Sequence, residues 1–274
     1  MPRKLWDAHR HLGRLPAYPF YGGPAISPDT TAVETIDDLI ADLDAAGVER
    51  ALVLPNYGVP DPDVAFGFNE LVVEAAQKDD RIRAGLWVSP KAGDAERNAT
   101  ALNLAKEKGV VALKTSFLLG GSATDPDCAA ELDRIFTTAA ALDLVVHVHT
   151  SPGGASDVDQ VGTLVDRYGD DTKIHLVHLG GGVSGHMKLI GGRLFDWIAA
   201  GKRVYTDTSW AVGFAPAWLV EQIEARGIGH DRVLFASDTP WGDVEGEHAR
   251  LAKAAGDGEL ARHFFTENFG SLYG

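Results

Sequence analysis

The stretch LVVHVHT, at residues 144–150, alternates apolar residues with two histidines and decides how we interpret the fold. Its β-branched valines favour an extended strand. In a strand successive side chains point to opposite faces, so Leu144, Val146 and Val148 share one face while His147 and His149 share the other. The pattern therefore predicts a strand that packs on one side and presents imidazoles on the other.

Seven further segments have the composition of short buried strands, and stretches with helical periodicity separate them. The eight predicted strands are residues 4–12, 50–55, 82–90, 110–117, 144–150, 173–180, 203–209 and 232–240. The clearest helical stretches are residues 31–47, 65–79, 128–143 and 215–227.

Alternating strands and helices predict parallel pairing through right-handed crossovers. Eight such units in a chain of 274 residues favour an α/β fold of the (β/α)8 TIM-barrel type, with residues 1–274 as a single domain. The alternative is an open doubly wound sheet. Against it, the first strand is not followed by the GxGxxG turn of a dinucleotide-binding sheet.

The overall composition is that of an ordinary globular protein, with 45% hydrophobic and 23% charged residues. A formal net charge of −14 disfavours binding to nucleic acid and to anionic membranes. Cys128 is the single cysteine, which fits a reducing cytoplasm, and no apolar run is long enough to span a bilayer. We therefore expect a cytoplasmic protein with a small-molecule substrate; assembly into a homo-oligomer stays open.

Polar residues concentrate on the inward face of several strands. Alternation predicts that Lys114 and Asp238 point into the barrel, and that Asp7, His9 and His11 share one face. His175 and His178 are three residues apart and are expected to face opposite ways, with His178 at the mouth. Active sites of these barrels lie at the C-terminal ends of the strands.

Several imidazoles and a carboxylate at one end of a barrel are most easily satisfied by a divalent cation. Two histidines at i and i+2 can reach a common ion. The ligand set we predict is therefore His9, His11, His149 and Asp238. Three nitrogens and one oxygen suit zinc, with manganese or iron as alternatives.

The segments DAHRH, VVHVHTSPG, KIHLVHLGG and RVLFASDTPW together resemble the amidohydrolase superfamily, in its amidohydrolase-related branch, which also contains decarboxylases and lactonases. The resemblance covers essentially the whole chain. It implies the same metal ligands on the first, fifth and eighth strands. It also implies that His178, on the sixth strand, acts on the substrate or lies near the metal.

Lys114 is ambiguous in light of this resemblance. Some members of the superfamily carry a carboxylated lysine on the fourth strand that bridges two metals. Since this branch usually has one metal, we expect an unmodified Lys114 that forms a salt bridge or binds the substrate. His147 is expected to lie deeper and to make a structural hydrogen bond, and Asp207 is a candidate acceptor for a ligand histidine.

The function we expect is hydrolysis of a small-molecule ester, lactone or amide by metal-activated water. Asp238 would act as general base and acid, and His178 would polarise the carbonyl. The alternative is nonoxidative decarboxylation of a small unsaturated or aromatic acid; known decarboxylases of this branch tend to be longer, which favours hydrolysis. A third hypothesis is a barrel that binds a ligand without catalysis.

Specificity in barrels is set by the loops, and no loop of this sequence carries a readable code. The residues that we expect to bind substrate are Lys114, Arg10, Tyr57, Trp210 and Trp241. Of these, Arg10 has outward parity and would have to turn at the strand end to reach an anion.

Overall fold

A computed structural model describes residues 4–14, 33–58 and 61–274 of the chain. Its strands form one eight-stranded parallel sheet in chain order. They are β1 (Trp6–Leu12), β2 (Arg50–Pro55), β3 (Ile82–Trp87), β4 (Val110–Thr115), β5 (Val145–Val148), β6 (Lys173–Leu176), β7 (Val204–Asp207) and β8 (Val233–Leu234).

Backbone hydrogen bonds join the last strand to the first. Ala8 N–H donates to Phe235 O over 3.0 Å, and Asp238 N–H donates to His9 O over 2.8 Å. The sheet thus curls into a barrel, and the predicted (β/α)8 architecture is confirmed. All eight predicted strands are present, but several end earlier than the sequence indicated, β8 most of all.

Helices follow the strands, and all but the last one cover the outside of the barrel. They are α1 (Ile36–Ala46), α2 (Pro62–Lys78), α3 (Ala95–Leu104), α4 (Ala129–Ala141), α5 (Val158–Tyr168), α6 (Gly182–Lys188), α7 (Leu194–Ala199), α8 (Ala215–Arg226), α9 (Val244–Ala255), α10 (Glu259–Arg262) and α11 (Asn268–Tyr273). The four predicted helical stretches correspond to α1, α2, α4 and α8; residues 31–32 of the first stretch lie outside the described residues. No helix in the described ranges is long and apolar enough to cross a membrane.

Capping residues account for where α1 and α2 begin. Thr35 caps α1 in a reciprocal capping box with Asp38, so the helix starts later than its apolar pattern indicates. Asp61 caps α2, whose first position is Pro62, so this helix starts earlier than predicted. The starts of these two helices therefore follow polar side chains that satisfy free backbone N–H groups.

Apolar side chains fill two regions on the two faces of the sheet. Outward strand residues such as Leu113, Val146 and Phe235 pack with the helices in the main core. Small and aliphatic inward residues, such as Ala112 and Val145, form a second cluster with Phe269, Leu272 and Tyr273 of α11. Because α11 fills the barrel interior at one end, polar groups can occupy the other.

A bulge in β1 corrects one sequence expectation. Asp7 pairs with Ala51 and Arg10 with Val53, so that Ala8 and His9 together face one residue of β2. Ala8 lies in the interior cluster, whereas Asp7 bonds to Arg10 on the side of the helices. The expectation that Asp7 shares a face with the two histidines is therefore wrong, because the extra residue inverts the alternation.

Candidate metal centre

Three side chains at the C-terminal end of the barrel point their donor atoms at one another. His9 Nε2 and His11 Nε2 lie 3.1 Å apart. Asp238 Oδ1 lies 3.1 Å from each of them. All three residues are buried, and they form a group that could hold a metal ion. Metal bonds of about 2.0–2.2 Å to nitrogen and oxygen place neighbouring ligand atoms about 3.0–3.5 Å apart, which matches this triangle.

The positions of the hydrogens show why the triangle fits a cation. His11 Nδ1 lies 3.0 Å from the carbonyl oxygen of Pro55, which can only accept, so the proton of neutral His11 sits on Nδ1 and Nε2 carries a lone pair. The Nδ1 of His9 lies 3.7 Å from a carboxylate oxygen of Asp207 and makes no hydrogen bond within the described part of the chain, but the nearby negative charge favours the tautomer with its proton on Nδ1. Asp238 Oδ1 is buried without a hydrogen-bond partner. With both imidazole protons on Nδ1, three lone pairs face one another, and a divalent ion would satisfy all three.

The charge states agree with this arrangement. Burial lowers the pKa of His9 to about 3, so the imidazole is neutral at ordinary pH, the form that binds metal. Burial alone would raise the pKa of Asp238, but the neighbouring imidazoles, His9 first, outweigh burial and hold the pKa well below its usual range. Asp238 is therefore an anion beside the neutral ring of His9.

His178 lies at the same centre because of its backbone conformation, which strand alternation does not predict. β6 ends at Leu176, and His178 takes a left-handed conformation with φ of 59°. Its ring stacks on that of His9 with centroids 5.2 Å apart, and its Nε2 lies 4.0 Å from Asp238 Oδ2. The expectation that His175 and His178 face opposite ways is wrong, because strand alternation has stopped before His178 is reached; both point inward.

A glycine allows the loop after β6 to approach the loop after β5. A Cβ on Gly181 would lie 2.5 Å from Ser151 Cα, and Gly181 has a φ of 79°. Only glycine tolerates both conditions. The close approach of these loops accompanies a ring contact between His149 and His178, with centroids 5.1 Å apart.

His149 itself lies beside the triangle rather than in it. It is half-buried at the end of β5 and is not part of the group formed by His9, His11 and Asp238. Its contact with His178 keeps it next to the centre, and its role as a ligand stays a prediction.

Lys114 lies deeper in the barrel and is fully buried. Its Nζ lies 3.1 Å from His147 Nδ1, so Lys114 donates a hydrogen bond to the neighbouring strand. Burial lowers the pKa of Lys114 to about 7, against the attraction of Asp238 and Asp207. Lys114 therefore has a hydrogen-bond partner, His147, inside the barrel.

Aromatic residues surround the mouth. Trp210, which is 49% exposed, donates from Nε1 to Asp238 Oδ2 over 2.7 Å. Tyr57 stacks on Trp87 with ring centroids 4.3 Å apart, and its ring is 6.1 Å from that of His11. Trp241 donates to Asn56 Oδ1 over 3.2 Å at the end of β2. The structure thus brings Trp210 onto the centre itself and Tyr57 next to it.

Arg10 is turned away from this group. It is 1% exposed, and its guanidinium bonds to Asp7 and to Asp42 on α1. An outward arginine that two buried or half-buried carboxylates hold between strand and helix cannot meet a ligand at the mouth. The expectation that Arg10 binds substrate is therefore corrected: it ties β1 to α1.

Two residues near the centre were not predicted from the sequence. Ser209 follows β7 and lies 2.8 Å from His178 Nδ1; its position at a strand end was a usable signal. Glu247 on α9 is buried and accepts from the backbone N–H of Trp210 over 3.1 Å. Burial raises the pKa of Glu247 to about 7. A single glutamate on a helix carries no signal in the sequence.

A parallel barrel with histidines and an aspartate at its C-terminal mouth defines the class of the protein, and comparison with known families agrees. Residues 6–274 match the family described as Amidohydrolase. The chain therefore belongs to the amidohydrolase family. No curated protein matches the chain significantly.

Solved structures of similar fold include both hydrolases and decarboxylases. The 5-carboxyvanillate decarboxylase of Novosphingobium aromaticivorans, in complex with manganese, has a TM-score of 0.69 at 17% identity, covering 98% of this chain and 96% of that one. A probable 2-pyrone-4,6-dicarboxylic acid hydrolase of Acinetobacter baumannii has a TM-score of 0.63 at 14% identity over 99% of both chains. An amidohydrolase of Burkholderia multivorans with bound zinc has a TM-score of 0.66 at 15% identity, again over 99% of both.

Proposed function

We propose that this amidohydrolase-family chain is a metal-dependent hydrolase of a small ester, lactone or amide. One observation carries the proposal: His9 Nε2, His11 Nε2 and Asp238 Oδ1 are buried and form a triangle with sides of 3.1 Å. His149 would complete the ligand set from β5. Zinc suits three nitrogens and one oxygen best, and manganese or iron are the other candidates.

A divalent ion at this centre would supply Lewis-acid polarisation and would make water acidic enough to react at neutral pH. Around it, Asp238 has both oxygens engaged. Oδ1 faces the two imidazoles, and Oδ2 accepts the indole N–H of Trp210 over 2.7 Å. Asp238 was expected to be the general base; we instead assign to it the role of a fixed anion that Trp210 orients.

His178 is the better-placed proton acceptor. Its Nδ1 lies 2.8 Å from Ser209 Oγ, and Ser209 in turn donates its own hydroxyl proton to Asp207. The proton of neutral His178 therefore sits on Nδ1, and Nε2 presents a lone pair on the side of Asp238. His178 can take a proton from attacking water first. Only then can its Nε2–H polarise the carbonyl oxygen or protonate the leaving group.

Metal content and variant activity test this proposal. We expect one ion per chain in the purified protein, loss of most of it in Asp238→Asn, and retention of the ion in His178→Gln with hydrolysis reduced by roughly 10²–10⁴-fold. The matched controls are Asp170→Asn and His230→Gln, two exposed positions that should change neither quantity. Full metal content and full hydrolysis in Asp238→Asn would contradict the proposal.

Decarboxylation of a small aromatic or unsaturated acid is the second candidate, and the flat walls of the mouth favour it. The stacked pair Tyr57–Trp87 and the indole of Trp210 would suit a planar ring. Two structures of similar fold are decarboxylases of substituted benzoic acids. Carbon dioxide release from hydroxybenzoic acids, with no hydrolysis of aryl esters, lactones or amides, would favour this reaction over hydrolysis.

A further inference from the structure

Beneath the metal centre, the carboxylate of Asp207 contacts groups from three neighbouring segments. The residue lies at the end of β7 and is fully buried. Oδ1 accepts from the backbone N–H groups of His178 over 3.0 Å and of Ser209 over 3.1 Å, and from Ser209 Oγ–H over 2.5 Å. Oδ2 lies 3.0 Å from His175 Nε2 and 3.7 Å from His9 Nδ1. The carboxylate of Asp207 therefore lies next to both His9 and the segments that carry His178 and Ser209.

The contact with His9 acts on the candidate metal centre. His9 presents Nε2 to the triangle and Nδ1 to Asp207. A carboxylate behind a ligand histidine fixes its ring orientation and its tautomer, and makes the other nitrogen a better donor to the metal. His175 Nε2 lies 3.0 Å from the same oxygen, and its Nδ1 lies 2.6 Å from Tyr273 Oη on the far side of the ring.

The contact through Ser209 acts on His178. An ionised carboxylate can only accept, so the Ser209 hydroxyl must give its proton to Asp207 Oδ1. Ser209 Oγ is then an acceptor toward His178 Nδ1, 2.8 Å away. In addition, the backbone N–H of His178 is tied to the same Oδ1, at a residue with a φ of 59°. Both the proton position and the backbone of His178 thus depend on Asp207.

We propose that Asp207 is the positioning residue of this site, which fixes the tautomer of the ligand His9 directly and that of the proton acceptor His178 through Ser209. The proposal deepens the function proposed above and rests on it for the roles of His9 and His178. Five groups converge on one carboxylate. Burial raises the pKa of Asp207, but His175 and His9 outweigh burial and hold the pKa well below its usual range.

Asp207 thus acts through two branches: the His9 branch, by direct contact, and the His178 branch, through Ser209. Substitutions can separate the two. Asp207→Asn should disturb both branches, because an amide cannot accept at both ends: its NH₂ would oppose the imidazole N–H groups. Ser209→Ala should disturb only the His178 branch. The matched control is Thr208→Val, which removes a buried hydroxyl next to Ser209 that has no hydrogen-bond partner.

The readouts are the tautomer of His178, from ¹⁵N and ¹H shifts of the zinc-loaded protein assigned with His178→Gln, and zinc affinity from competition with a chelator. We expect protonation at Nδ1 of His178 in the wild type and in Thr208→Val, and a shift toward Nε2–H in Ser209→Ala and Asp207→Asn. Zinc affinity should fall about 10–100-fold in Asp207→Asn and change less than about threefold in Ser209→Ala.

Three results would overturn the proposal. One is an unchanged His178 tautomer in Ser209→Ala. Another is an unchanged zinc affinity in a folded Asp207→Asn protein. The third is a second ion per chain that is lost in His147→Gln, because His9, His147 and Asp207 would then hold a cation instead. Neither readout needs a substrate: if both branches behave as expected but no candidate compound is hydrolysed, the proposed function fails and the positioning role stands.

Discussion

Glu247 shows how a single buried carboxyl can make stability depend on pH. It is 4% exposed, accepts from the N–H of Trp210, and has Arg250 as its ion-pair partner. Despite that pairing, burial raises its pKa to about 7 from the usual 4.5. Between these two values the folded protein holds a proton that the unfolded chain has released.

We predict that this proton makes the fold less stable as the pH rises. Because the folded state binds more protons in this window, the free energy of unfolding falls from about pH 4.5 to about pH 7 and then levels off for this group. Glu247→Gln keeps an acceptor for Trp210 and removes the titration. Between pH 4.5 and about pH 7, the free energy of unfolding of the variant should decline by about 1–3 kcal/mol less than that of the wild type, as measured by urea denaturation. Glu221→Gln, at an exposed position, is the control, and identical profiles for Glu247→Gln and wild type would contradict the assignment.

Three residues of the site share a backbone feature that no side-chain pattern shows. His178, Trp210 and Asp238 all have positive φ values, between 56° and 59°. Non-glycine residues pay about 1–3 kcal/mol for such conformations, which cluster at functional sites. Each follows the end of a strand, and the left-handed turn is what redirects its side chain toward the centre.

At the scale of elements, β1 is joined to α1 through a buried ion pair. Arg10 contacts both Asp7 on its own strand and Asp42 on the helix. Burial lowers the pKa of Arg10, and the attraction of Asp7 opposes that effect.

We predict that Arg10→Met destabilises the protein by about 3–5 kcal/mol, because it leaves Asp7 buried without a counter-charge. Asp7 is fully buried, and burial raises its pKa even with Arg10 present. Urea denaturation measures the change. Arg262→Met, whose side chain is 58% exposed, should cost less than about 0.5 kcal/mol. A similarly small loss in Arg10→Met would show that the pair does not join the two elements.

The loop between β6 and α6 depends on Gly181. We predict that Gly181→Ala destabilises the protein by about 2–4 kcal/mol, since the new Cβ would lie 2.5 Å from Ser151 Cα and the residue has a φ of 79°. It should also lower activity by displacing His178. Gly67→Ala is the control: it lies in α2 with nothing within 4 Å of the added atom, and should stabilise the helix by about 0.5–1 kcal/mol. Wild-type stability for Gly181→Ala, measured by thermal unfolding, would refute the close approach.

At the scale of the whole molecule, the barrel has a dry end and a polar end. Phe269, Leu272 and Tyr273 of α11 fill the interior at the start of the strands. At the other end, β1 and the segment after β8 meet through backbone bonds that also align His9 and Asp238. The candidate metal centre therefore lies where the sheet closes, and an ion there would hold the two edges of the barrel together.

We predict that removal of the ion lowers the thermal stability of the entire fold. A ligand at 100 times its dissociation constant stabilises the native state by about 2.7 kcal/mol, so the unfolding temperature should fall on treatment with a chelator and recover on addition of zinc. Asp238→Asn should not respond to the chelator. The same shift in wild type and in Asp238→Asn, followed by calorimetry, would place the ion elsewhere.

The sequence by itself determined the fold and predicted three residues that meet in the candidate metal centre. The alternation of short β-branched strands with helices sufficed for the barrel, because side-chain periodicity is a local property. It also brought His9, His11 and Asp238 to one end, since parallel strands place their C-terminal ends together. The segment LVVHVHT was interpreted correctly, with Val146 and Val148 outward and His147 inward.

Only the tertiary structure decided where alternation fails. The bulge in β1 moved Asp7 to the helix side, and the left-handed turn at His178 brought this residue inward beside His175. The convergence of His9, His178 and Ser209 on Asp207 depends on strands that are far apart in the chain and adjacent in the barrel. Strand pairing across the closed sheet, not the order of residues, sets such contacts, and no local pattern encodes them.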